Sequence, residues 1–66
     1  MPAKLEAYGR ALTLYRQSGN KENEASTLKE MADMHQHQGK HAQALGELLE
    51  VLGIYKSIGF RNLHYT

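Results

Sequence analysis

Two stretches of this sequence match each other 40 positions apart: YGRALTLYRQSG, residues 8–19, and LLEVLGIYKSIG, residues 48–59. A period of about 20–50 residues is typical of helical repeat proteins, in which one unit packs its apolar face against the next. The match therefore indicates a protein-interaction module and argues against an enzyme. Five pairs of identical or similar residues fall in register: Leu12 and Leu52, Leu14 and Ile54, Tyr15 and Tyr55, Arg16 and Lys56, Gly19 and Gly59.

Apolar residues spaced three or four apart predict three helices. No stretch alternates between polar and apolar residues over the length of a strand. We therefore predict an all-α chain with turns near Gly19 and Gly39 and a third helix that ends near Gly59. The three apolar stripes consist of Leu5, Tyr8, Leu12 and Tyr15; then Ala25, Leu28, Met31, Ala32 and His35; then Ala44, Leu45, Leu48, Val51, Leu52 and Tyr55.

The residues at the first turn suit a helix end followed by a helix start. Gly19 can adopt the left-handed conformation that closes a helix, and the Asn20 side chain can accept from free N–H groups of the next helix. Packing of the three stripes against each other then predicts a core made of Leu12, Leu28, Ala32, Leu45, Leu48 and Leu52.

Length and composition limit the function further. A chain of 66 residues forms one small domain, which buries only about 60% of its unfolded surface. There is no Cys, and the net charge of +1 comes from interleaved acidic and basic residues, which argues against nucleic acid as a partner. No apolar run approaches the roughly 18 residues of a membrane span, and the first residues lack the apolar core of a secretory signal. We expect a cytoplasmic protein without a membrane partner.

The sequence offers no convincing catalytic or metal site. It lacks a Cys nucleophile, a Gly-rich phosphate loop and a His-Glu-x-x-His motif. His35 and His37 lie about 200° apart around a helix, so one ion cannot bind both, and Gly39 should separate His37 from His41. We expect no enzyme activity, no cofactor and no specific metal site, with His35 packed as part of the apolar stripe.

The region from Leu28 to Leu52 resembles the tetratricopeptide repeat. That pattern has a large apolar residue, another three positions on and then a small one, followed by a helix-ending Gly and a second small and apolar set. The 40-residue spacing resembles the longer-period variety of the family, and residues 11–19 are similar to bacterial members. The residues that carry the resemblance are Leu28, Met31, Ala32, Gly39, Ala44, Leu48, Val51 and Leu52.

The resemblance implies a three-helix hairpin stack. Residues 1–19 would be the second helix of a partial repeat, residues 20–59 one full repeat, and residues 60–66 the start of a following repeat. It also implies that the chain binds a peptide or helix of a partner protein on the face lined by the first helix of each repeat. Carried over by position, the candidate partner-binding residues are Ser26, Lys29, Asp33, Gln36 and His37.

Self-association is the alternative function. Stable repeat arrays generally need about three units, and this chain holds roughly one and a half. We therefore expect a homodimer, or a truncated piece of a longer array, in which apolar side chains at the ends of the stack meet another copy. The candidates for that contact are Leu5, Tyr8, Phe60, Leu63 and Tyr65, with Ile54 and Ile58 beside them.

Overall fold

Three α-helices form a flat layer with the second helix in the middle. The computed structural model describes the backbone of residues 3–63 and the side chains of residues 4–59. Helix α1 spans Ala3–Ser18, α2 spans Lys21–His37 and α3 spans His41–Leu63. Helix α2 contacts both neighbours, and the Cα atoms extend over 44 × 23 × 11 Å. The predicted all-α fold is confirmed, and residues 3–63 contain no strand.

The two turns between helices have the same hydrogen-bond pattern. Gly19 and Gly39 adopt φ values of 72° and 78°, the left-handed conformation expected at a helix end. The Asn20 side chain then accepts a hydrogen bond of 3.3 Å from the Asn23 amide and caps α2. The residue after each glycine donates its amide to a carbonyl of the preceding helix, Asn20 to Tyr15 at 2.9 Å and Lys40 to His35 at 2.8 Å.

The core lies along α2 and draws side chains from all three helices. Ala25 and Leu28 of α2 are 0% and 2% exposed, and Leu12 of α1 packs in the same cluster. Ala32 is also buried. The predicted core positions in α1 and α2 are therefore confirmed. The cluster as a whole consists of Leu12, Ala25, Leu28, Val51 and Ile54, with Met31 and Ile58 packed against it.

On α3 the core prediction was wrong. Helix α3 carries two neighbouring apolar stripes about 100° apart around its axis, and a contact with α2 covers only one of them. Because both stripes have the same spacing, periodicity alone cannot tell which one is buried. The buried stripe contains Ala44, Val51 and Ile54, whereas Leu45, Leu48 and Leu52 remain 59%, 39% and 56% exposed.

The end of α3 also differs from the prediction. The helix passes through Gly59 and continues to Leu63. A glycine inside a helix costs about 1 kcal/mol, and residues 60–63 contain no proline that would stop the helix. Residues 60–63 therefore extend α3 and do not open a separate helix. The remaining three residues of the predicted following repeat, 64–66, lie outside the described part of the chain.

Two alanine substitutions on α3 distinguish the buried stripe from the exposed one. Ile54→Ala should lower the free energy of unfolding by about 2–5 kcal/mol, because it removes buried methyl groups and leaves a cavity. Leu52→Ala, two residues away and exposed, should change it by less than about 0.5 kcal/mol. Urea denaturation of the monomeric chain measures both. A larger loss for Leu52→Ala than for Ile54→Ala would contradict the packing described here.

Candidate functional site

A strip of exposed apolar side chains runs along α3. Each member lies three or four residues from at least one other member, so these pairs lie side by side on the helix. Each is between 39% and 59% exposed. An exposed, contiguous apolar surface of this kind is a candidate site for contact with another molecule. We call it the leucine face; it consists of Leu45, Leu48, Leu49, Leu52 and Tyr55.

The two edges of the leucine face have different character. On the α2 side, the Lys29 ammonium lies 5.9 Å from the centre of the Tyr55 ring, a distance at which the cation and the ring attract each other. On the other side, Gly46 and Gly53 flank Leu49, and a Cβ placed on either would meet no atom within 4 Å. A docked helix could therefore approach the α3 backbone closely along the glycine edge.

The predicted partner-binding residues lie together on the outer side of α2. Ser26, Lys29, Asp33, Gln36 and His37 are all exposed. Asp33 and His37 form a weak pair, with 3.8 Å between Oδ2 and Nε2. Lys29 and Asp33 line a groove of about 320 Å³ between α1 and α2, whose other lining residues are Lys4, Tyr8, Glu30 and Met34. The structure thus places these residues on one polar surface beside the leucine face.

The residues predicted for self-association have mixed positions. Leu5 and Ile54 are buried, with 7% and 9% of their surface exposed, so the expectation that they lie at an open end of the stack was wrong. Both are covered because α1 and α3 use these positions to pack against the core. Tyr8 is partly exposed, and a hydrogen bond to Glu30, together with its negative charge, raises the pKa of the Tyr8 phenol. The side chains of Phe60, Leu63 and Tyr65 lie outside the described residues.

An ion network connects all three helices at the end opposite Tyr8. Arg16 of α1 places Nε 3.2 Å from Oε2 of Glu24 on α2, and its terminal nitrogen 2.8 Å from Oε2 of Glu50 on α3. The Glu24 side chain is only 8% exposed. Its second oxygen, Oε1, has no hydrogen-bond partner among the described residues and lies 3.7 Å from the Lys21 ammonium. Two cations and two anions balance here, so the network fits a structural role.

A buried histidine–glutamate pair joins α2 to α3 near the second turn. Nδ1 of His35 lies 2.7 Å from Oε1 of Glu47, and the two side chains are only 9% and 15% exposed. The sequence correctly placed His35 on the buried stripe of α2. It did not identify Glu47 as the partner of His35. The position of Glu47, three residues after Ala44 and four before Val51, already puts it on the buried stripe.

The comparisons with known proteins add no assignment. No protein-family model, curated protein or solved structure matches the chain. None of the helices within residues 3–63 has the length and the apolar character needed to cross a bilayer. Among the same residues, no three His, Asp or Glu side chains come together as a metal site would require. The leucine face and the polar surface beside it are therefore the features from which a function must be argued.

Substitutions in the ion network should have unequal effects. Arg16→Ala leaves the buried Glu24 carboxylate without its closest cation and should cost about 1–3 kcal/mol of stability. Glu50→Ala removes only the exposed half of the network and should cost less than about 1 kcal/mol. Thermal and urea unfolding of the two variants, side by side, test this. Equal losses would show that Glu24 does not depend on Arg16.

Proposed function

We propose that the chain is a non-enzymatic protein–protein interaction module of the tetratricopeptide-repeat type, which binds a helix or peptide of a partner protein. The observation that carries this proposal is the leucine face, where five neighbouring large apolar side chains remain exposed on α3. A folded domain that leaves such a surface uncovered gains stability when a partner removes it from water. The cytoplasmic setting expected from the sequence belongs to the same proposal.

The polar surface of α2 supplies the rim of the proposed contact. Lys29 reaches across to the Tyr55 ring at the edge of the leucine face, while Asp33 lies with it along the neighbouring groove. Protein interfaces commonly combine an apolar centre with a polar, solvated rim. In this arrangement the leucine face provides most of the binding energy, and Lys29, Asp33 and Gln36 add orientation and selectivity.

Self-association is the second candidate function, and the same observation favours it. The leucine face is an apolar strip on a single helix, so two copies could pack face to face around a twofold axis. Such a contact would be isologous, with the same residues on both sides. It would make the chain a homodimeric assembly module whose interface is formed by Leu48 and Leu52, and not by the buried Leu5.

A charge placed in the leucine face should abolish partner binding while leaving the fold intact. The double variant Leu48→Lys and Leu52→Lys alters two exposed positions, and buried lysine heads in an interface are costly. Affinity capture from extracts of the source cells, with quantification of the recovered proteins, should show a set that is bound by the wild type and lost by the double variant. Sedimentation over a range of concentrations tests the homodimer with the same two proteins.

Two further variants serve as controls. Leu14→Lys introduces one charge at a leucine that is 63% exposed on α1, away from the leucine face, and should retain the captured proteins. Replacement of Lys29, Asp33 and Gln36 by Ala should weaken capture only in part. If the triple variant loses every partner while the leucine-face variant keeps them, the binding surface lies on α2. If neither the leucine-face variant nor the triple variant changes the captured proteins or the molecular mass in sedimentation, the proposal is wrong.

A further inference from the structure

The 40-residue repeat relates the exposed face of α3 to a buried face of α1. Leu5 and Leu12 of α1 are 7% and 8% exposed, because α1 packs against α2 through them. Their equivalents 40 positions later are Leu45 and Leu52, both of which belong to the leucine face. The correspondence covers four of the five residues of the strip: Leu5, Tyr8, Leu12 and Tyr15 are matched by Leu45, Leu48, Leu52 and Tyr55.

The α1–α2 contact therefore provides a template for what the leucine face can hold. Three pairs of residues define that template: Arg16 and Glu24 form an ion pair, Leu12 and Leu28 share the core cluster, and Tyr8 and Glu30 line the same groove. Their order shows that α1 and α2 run antiparallel. The strip differs from the α1 face at position 49, where a leucine replaces Gly9. A Cβ placed on Gly9 meets no atom of α2 within 4 Å, so the added Cβ itself does not obstruct the same packing.

The α3 residues that correspond to these α1 residues predict which side chains a docked helix needs. Lys56 replaces Arg16 and remains a cation, so it suits an acidic residue at the position of Glu24. Leu52 replaces Leu12 and suits an apolar side chain at the position of Leu28. Leu48 replaces Tyr8 and has no hydroxyl to share with a carboxylate, so an acid at the position of Glu30 would lose its partner. An apolar residue fits there instead.

We propose that the leucine face receives an amphipathic helix of a partner protein that resembles α2, carries an acid opposite Lys56 and has an apolar residue where α2 has Glu30. This inference rests on the proposed interaction function and names the kind of partner. A second copy of the chain does not meet the description, because the apolar face of its own α2 is already buried between α1 and α3.

A peptide with the sequence of residues 20–38 provides the probe. Because a free helix of this length is marginal in water, Ser26→Lys is introduced and its amine is joined to the Glu22 carboxylate. Both positions are exposed on the outer side of α2. Fluorescence anisotropy measures binding to the full chain, and amide chemical shifts map the site. Shifts should concentrate in residues 45–56.

Peptide variants test the specificity that the template predicts. Glu30→Leu in the peptide should tighten binding by at least about threefold, and Leu28→Ser should weaken it by about tenfold. Leu48→Lys together with Leu52→Lys in the chain should weaken binding by about tenfold or more, whereas Leu14→Lys should have no effect. Lys56→Glu in the chain should weaken binding of the peptide that carries Glu24 and strengthen binding of a peptide with Glu24→Lys.

Each contrary result has a defined meaning. If Glu30→Leu does not tighten binding, or if the charge exchange at Lys56 has no effect, the α2-like description is wrong. If the peptide does not bind and the chain is instead a dimer that Leu48→Lys disrupts, the occupant is a second copy, and the interaction function stands without this inference. If the leucine-face substitutions change neither peptide binding nor the capture of partners, both proposals fail.

Discussion

The rest of the structure depends on the burial of α2 between α1 and α3. In a flat layer of three helices, only the middle helix has a neighbour on both sides, and Ala25 and Leu28 of α2 accordingly have almost no exposed surface. Small domains have little apolar burial to offset the entropy of folding. The tight packing along α2, together with the Arg16 ion network, therefore holds α1 and α3 in place although their backbones do not approach each other within residues 3–63.

This central position of α2 leaves α3 with more apolar surface than the fold can use. One stripe of α3 packs with α2 through Val51 and Ile54, and the neighbouring stripe forms the leucine face. An apolar stripe broader than one contact is typical of a helix that packs on two sides. The proposed interaction function and the proposed α2-like partner both follow from this excess, since a second helix would complete on α3 the kind of contact that α1 already makes.

The sequence predicted well those features that depend on local chemistry. Gly19, Asn20 and Gly39 act at the turns as their backbone and side-chain preferences require, and the helices follow from apolar spacing. It could not predict which stripe of α3 is buried, because Val51 and Leu52 both belong to three-to-four patterns and only contact with α2 separates them. The pairing of Arg16 with Glu24 and Glu50, 8 and 34 positions away, likewise arises from the tertiary arrangement. No local sequence pattern predicts it. Periodicity alone could therefore not predict the position of the leucine face, although the 40-residue repeat already related four of its members to the α1 stripe.

The exposure of leucine and isoleucine methyl groups tests the central claim most directly. A soluble paramagnetic agent broadens the NMR signals of methyl groups in proportion to their access to solvent, and leucine and isoleucine labelling makes both stripes of α3 visible. The structure predicts strong broadening for Leu45, Leu49 and Leu52 and protection for Leu28 and Ile54 in the monomeric chain. Protection of the leucine face in a monomer, with Ile54 open to the agent, would show that α3 is turned the other way and would remove the basis of the account.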